Sequence, residues 1–141
     1  MHLSAEGDYR LQDEAATARL GAAVGLALEA GEAVCLWGPL GAGKTTLARG
    51  LIRALADPNE DAPSPTFTLV QFYPTERLRL AHFDLYRIER PDEAHEIGLD
   101  EALDDGAALI EWPERLGELL PKHLSVTLEV DGDGRRALLD V

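Results

Sequence analysis

Two glycines, a lysine and a threonine at fixed spacing carry the first chemical signal in this chain. Gly38-x-x-x-x-Gly43-Lys44-Thr45 is the Walker A pattern, and it lies between an apolar run of strand length and a helical pattern. Triphosphate oxygens need many N–H donors at close range, so the loop that holds them must be nearly bare of side chains. Gly38, Gly41 and Gly43 permit that approach and the backbone angles it requires. A helix that follows directly turns its first N–H groups and the positive end of its dipole toward the phosphates. Lys44 adds a point charge for the β- and γ-phosphates, and the Thr45 hydroxyl is placed to ligate Mg²⁺. These residue types point to polyphosphate binding rather than to a glycine turn capping an unrelated helix.

Hydrolysis asks for a second magnesium anchor and a group that positions water. Two acids qualify. Asp84 closes the apolar run Leu78–Phe83, where a Walker B aspartate is expected, and Glu111 directly follows Ala107–Ile110. In open α/β sheets the C-terminal strand ends form the ligand crevice. Ser64-Pro65-Thr66 has the form of a switch segment, whose Thr66 hydroxyl could complete a magnesium shell when the γ-phosphate is present, but on these residues alone a loop ending in a strand's first residue is the plainer reading. Trp112 reads equally well as a neighbour of the site or as core. His82 alternates onto the face of Asp84 and reads as a satisfied core histidine.

The elements that must position these groups follow from periodicity. Asp13 reads as the N-cap of a helix running to about Ala30, with Ala16, Leu20, Ala23, Val24, Ala27 and Leu28 at helical spacing and Gly31 as its stop. Ala33–Trp37 reads as a buried strand, and Thr45 to Leu55 as a helix with Leu47, Ala48, Leu51, Ile52 and Leu55 on one face. Thr66 to Tyr73 and Leu78 to Asp84 read as strands whose short connection allows only antiparallel pairing. Pro91 opens a helical segment to about Leu103, interrupted at Gly98. Leu124–Val130 and Arg136–Val141 flank Asp131-Gly132-Asp133-Gly134, a hairpin signal. The residues before Asp13 read as a short lead-in. The expected fold class is α/β: a P-loop NTPase-like mixed sheet flanked by helices, with antiparallel hairpins, in a single domain over 1–141.

Composition bounds the function. The 141 residues suit one sheet with helices packed on it, and 45% apolar content is ordinary for a globular chain. No run approaches a membrane span, and Met1–Glu6 lack the features of a secretion signal, so a soluble, cytoplasmic protein is expected. Twenty-six acids against 13 bases give a net charge of −13. Gripping DNA or RNA unaided needs clustered Lys and Arg, so any nucleic-acid role should pass through a partner. Cys35 is the only cysteine and reads as a small buried residue.

Four motifs in register resemble one family. Gly38-Pro-Leu-Gly-Ala-Gly-Lys-Thr-Thr46, Ser64-Pro-Thr-Phe-Thr-Leu69, His82-Phe-Asp-Leu-Tyr-Arg87 and Ile110-Glu-Trp-Pro113 come in the order and at about the spacing of the TsaE (YjeE) family. These are small bacterial P-loop ATPases needed to make threonylcarbamoyl-adenosine in tRNA. The resemblance implies a low-turnover, Mg²⁺-dependent ATPase whose ATP cycle resets a complex with TsaD and TsaB, with tRNA met only through that complex. It implies nucleotide contacts from Gly38, Leu40, Gly41, Ala42, Gly43, Lys44, Thr45 and Thr46, with Asp13, Glu14 and Thr17 near the adenine. It further implies Thr45 and Glu111 on Mg²⁺, and Thr66 and Asp84 as switch and water-positioning residues beside them; catalysis would rest on Lys44, Asp84, Glu111 and Thr66. Pro39 departs from the family, which usually has an acid there, and it deletes one N–H donor from the loop.

Two other readings share the P-loop. A small-molecule kinase needs an arginine-bearing lid and an acceptor site, and only Arg87-Ile88-Glu89-Arg90 suggests a lid. A regulatory GTPase normally carries an Asn/Thr-Lys-x-Asp motif, and neither Lys44 nor Lys122 lies in one.

Overall fold

Strand β2, Ala33–Trp37, is buried over its first four residues because it runs through the middle of a seven-stranded sheet. The computed structural model describes residues 7–140; the lead-in Met1–Glu6 and Val141 lie outside the described residues. The sheet order is β1 (Gly7–Leu11), β7 (Gly134–Asp140), β6 (Leu124–Asp131), β2, β5 (Gly106–Glu111), β4 (Arg79–Asp84) and β3 (Val70–Pro74). Neighbours β6, β2, β5 and β4 are parallel, whereas β1–β7, β6–β7 and β3–β4 are antiparallel. The result is the mixed sheet with antiparallel hairpins that the sequence predicts.

Alternation along the strands divides two cores. Val34, Leu36, Leu80, Leu109, Val126 and Leu128 share a core with α1 (Glu14–Ala27) and α2 (Lys44–Leu55). Ala33, Cys35, Phe83, Ala108 and Ile110 pack with residues of α3 (Glu93–Glu96), α4 (Leu99–Asp105) and the 3₁₀ segment Pro113–Leu119. Strands covered on both faces read as continuous apolar runs, as Ala33–Leu36 and Ala107–Ile110 do. Asp13 caps α1, its Oδ1 accepting Ala16 N–H at 2.8 Å, and Gly98, at φ 96°, breaks α3 from α4.

Several boundaries differ from the sequence reading. α1 stops at Ala27, because Leu28 is extended and Arg77 reaches back to cap the open end; its Nη2 donates to Gly25 O at 2.9 Å and its Nη1 to Leu28 O. Ala23 is exposed, and the face that packs on α2 is carried by glycine instead. A Cβ on Gly21 would stand 2.1 Å from Leu47 O, and one on Gly50 2.3 Å from Ala18 O. The two helices thus cross with their backbones in contact. Gly21→Ala should force them apart and cost about 2 kcal/mol, seen as a melting temperature about 5 °C lower.

Strand β3 begins at Val70 rather than Thr66. Leu69 N–H donates to Pro65 O at 2.7 Å and Leu69 takes φ 69°, so residues 66–68 are a turn despite their β-branched and aromatic types. β1 is absent from the sequence reading. It is an edge strand of mixed polarity that exists by pairing with β7, and Arg136 ties it down through Asp8, its Nε donating to Oδ1 at 2.7 Å. Cys35 is fully buried, and loss of hydration pushes its thiol from 9.0 to about 12. A thiol reagent at about pH 8 should leave the native protein unlabelled and modify Cys35 fully once guanidinium unfolds it.

Candidate functional site

The C-terminal ends of β2, β4 and β5 open onto one cavity of about 870 Å³. Gly38, at φ 134°, begins the loop where a Cβ would stand 2.4 Å from Leu128 O, so strand β6 leaves room only for glycine. The loop closes on itself through Ala42 N–H to Pro39 O at 3.2 Å. Gly43, at φ 101° and ψ 11°, then turns the chain into α2 without a side-chain cap, leaving the helix's first amides for an anion. Gly41, at φ 80°, has open space where a Cβ would point.

Lys44 is 6% exposed. Its Nζ donates to Gly38 O at 2.6 Å and lies 3.9 Å from the centre of the Trp112 ring. Trp112 takes φ 59° and ψ 49°, a left-handed turn that ends β5 and brings the indole back over the loop, where Tyr86 packs against it with ring centres 4.8 Å apart. Trp112 is therefore a wall of the site, partly buried against the core.

Asp84 and Glu111 face each other in the β4–β5 register, and both are buried. Asp84 Oδ2 accepts from Ser64 Oγ at 2.7 Å and Thr66 Oγ1 at 3.3 Å, and its Oδ1 accepts Tyr86 N–H at 3.0 Å. The 64–66 loop is thereby fastened to the strand end, with Pro65 buried beneath it. Glu111 Oε2 lies 2.7 Å from His82 Nε2. An ionised carboxylate only accepts, so Nε2 carries the hydrogen and fixes that oxygen's direction. His82 Nδ1 is buried without a partner. The histidine is buried, as its position predicts, but it is satisfied at Nε2 alone, where it orients Glu111.

The cavity wall includes Asp13, Glu14, Thr17, Leu40, Gly41, Gly43, Lys44, Thr45, Thr46, Thr66, Asp84 and Glu111. Gly38 and Ala42 do not line it; Ala42 is fully buried, and Gly38 lies behind the loop as the carbonyl under Lys44. The wall also holds Leu11, Gln12, Ser64, Tyr86, Trp112, Asp133, Gly134 and Arg135. The β6–β7 turn is legible as a hairpin, but which end of the sheet it crowns depends on strand order, which no local pattern encodes. Arg87 lies 5.2 Å over the Phe67 ring and Arg90 pairs with Asp92, both outside the wall.

The donor set suits magnesium shared with phosphate. Among the described residues no three His, Cys, Asp or Glu side chains form a cage for a metal ion. One hydroxyl at a helix start and one or two carboxylates, with phosphate oxygens completing the shell, is how Mg²⁺ is usually held. Thr45, Asp84 and Glu111 supply those groups on one cavity wall. Five acids, Asp13, Glu14, Asp84, Glu111 and Asp133, line it against Lys44 and Arg135, a balance that favours a polyphosphate arriving with a divalent cation. Among the described residues no helix is long and apolar enough to cross a membrane.

The chain is similar to known proteins in sequence and in fold. The family model described as threonylcarbamoyl adenosine biosynthesis protein TsaE matches residues 11–138. A tRNA threonylcarbamoyladenosine biosynthesis protein TsaE from Rickettsia felis is 39% identical over 127 residues, covering 89% of this chain and 74% of that protein. Its counterpart from Treponema pallidum is 41% identical over 124 residues, covering 86% and 90%. The crystal structure of Bacillus subtilus YdiB superposes with a TM-score of 0.76 at 27% identity, covering 99% of this chain and 87% of that one.

Proposed function

The chain belongs to the TsaE family of threonylcarbamoyl adenosine biosynthesis proteins, and from that membership we propose that it is the ATP-binding and ATP-hydrolysing subunit of the tRNA-modifying assembly. It acts with TsaD and TsaB, and its nucleotide cycle resets their complex rather than performing the transfer to tRNA. The observation that carries the reading is the single cavity that joins the glycine loop and Lys44 to Asp84 and Glu111.

The chain's own groups divide the work. The loop amides and the start of α2 hold the polyphosphate, and Lys44 turns from Gly38 O to the β- and γ-phosphates. Thr45 and Glu111 would hold Mg²⁺, with Asp84 and Thr66 beside them. When bound, that ion offsets the charge that gathers on the phosphate oxygens as the terminal bond breaks. Asp84, with the Thr66 hydroxyl already on its Oδ2, orients the attacking water in line with that bond. The His82 contact holds one oxygen of Glu111, a residue of the cavity wall, and so orients its carboxylate.

Phosphate release from MgATP, measured for the isolated protein and again with TsaD and TsaB, tests the assignment. Slow release alone and a clear rise on adding both partners are expected. No ATP binding under either condition contradicts it, and phosphoryl transfer to a metabolite faster than hydrolysis would favour a kinase.

A further inference from the structure

Ser64 stands between two prolines, Pro63 and Pro65, and its side chain reaches the end of β4. Its Oγ donates to Asp84 Oδ2 at 2.7 Å, while Thr66 Oγ1 reaches the same oxygen only at 3.3 Å. The first distance is that of a full O–H···O bond and the second lies beyond the usual range, so serine supplies the strong contact and threonine the weak one. Asp84 is 4% exposed, and a carboxylate so far from water depends on such donors. The segment that delivers Ser64 has little freedom. Each proline ring fixes one backbone angle, and Pro65 keeps Ser64 extended. Pro65 is buried, its carbonyl accepts Leu69 N–H at 2.7 Å, and Leu69 O in turn accepts Asp84 N–H at 2.9 Å. Loop and strand end are thus joined twice, once through backbone and once through the Ser64 hydroxyl.

The two joints do different work. The backbone bond fixes where the loop passes but not how the Asp84 carboxylate turns about its last torsion. That turn is set by Tyr86 N–H on Oδ1 at 3.0 Å and by Ser64 on Oδ2. Resting on the ATPase reading above, we infer that Ser64 is a positioning residue for hydrolysis: it acts by holding the Asp84 carboxylate in the plane that meets the attacking water. Thr66, more loosely held, is left to shift toward the ion while Asp84 stays in place. Two alternatives need separating from this one. Ser64 could only steady the loop, or its hydroxyl could meet the ligand directly, since it also lines the cavity.

Calorimetric MgATP titration, and single-turnover phosphate release with TsaD and TsaB present, separate them. Positioning predicts that Ser64→Ala binds MgATP within about twofold of the native affinity but releases phosphate about 10- to 100-fold more slowly. Ser64→Thr, which keeps the hydroxyl, should restore the rate to within about threefold. In the Asp84→Ala background, where there is no carboxylate to hold, Ser64→Ala should slow release by less than about twofold. A native rate in Ser64→Ala would overturn the inference. So would a loss of MgATP affinity that matches the loss of rate, Ser64→Thr as slow as Ser64→Ala, or an undiminished effect in the Asp84→Ala background. Should Ser64→Ala not fold, Ser64→Cys takes its place as the poorer donor: slower release at unchanged affinity is expected, and a native rate overturns the inference. Native protein that releases no phosphate with both partners would instead overturn the ATPase reading, and this inference with it.

Discussion

Glu111→Gln is expected to slow ATP hydrolysis about 10²- to 10³-fold while ATP still binds. The substitution removes a charge, not a shape. Glutamine can still accept from His82 Nε2, now 2.7 Å from the carboxylate, so the buried pair and the β4–β5 junction stay satisfied. What disappears is the anionic oxygen that would anchor Mg²⁺ at the strand tip. Glu111→Ala is the poorer probe: it strands His82, whose Nδ1 already lacks a partner, at a cost of about 1–3 kcal/mol in stability. Single-turnover phosphate release, set beside calorimetric MgATP binding, reads the two effects separately. Hydrolysis at the native rate in Glu111→Gln, with TsaD and TsaB present, would remove Glu111 from the metal site.

Lys44→Ala should weaken ATP binding about 100-fold. Lys44 is buried at the mouth of the loop, held by one carbonyl and one aromatic face. Neither partner is an anion, and a bound phosphate would supply the counter-charge. Melting temperature should change little beside the loss of affinity, because among the described residues the ammonium has no ion-pair partner to strand. Nucleotide affinity equal to that of the native protein would contradict the cradle.

How far the sequence carried can be judged residue by residue. β2, α2 and β5 are legible because each buries a continuous face, and Gly38, Gly43 and Lys44 are legible because the loop tolerates so few alternatives. Asp84 and Glu111 are found by the same logic, as acids at the ends of apolar runs. The misses share a different cause. β1 is a strand only because β7 lies beside it, and Thr66–Thr68 turn because Asp84, 18 residues on from Thr66, holds the loop by its hydroxyls. Gly21, Gly25 and Gly50 carry the α1–α2 crossing, where the absence of a side chain is the contact, and a search for apolar periodicity passes over glycine. Arg135 enters the cavity from a hairpin nearly a hundred residues after the loop, through a sheet order that no local pattern fixes.

The most direct measurement is a crystal structure with magnesium and a non-hydrolysable ATP analogue. The account predicts phosphates on the amides of Gly41 and of residues 43–45, Lys44 Nζ moved from Gly38 O onto phosphate oxygen, and the metal beside the Thr45 hydroxyl with Glu111 and Asp84 facing it. An analogue bound elsewhere, or both carboxylates turned from the ion, would contradict it.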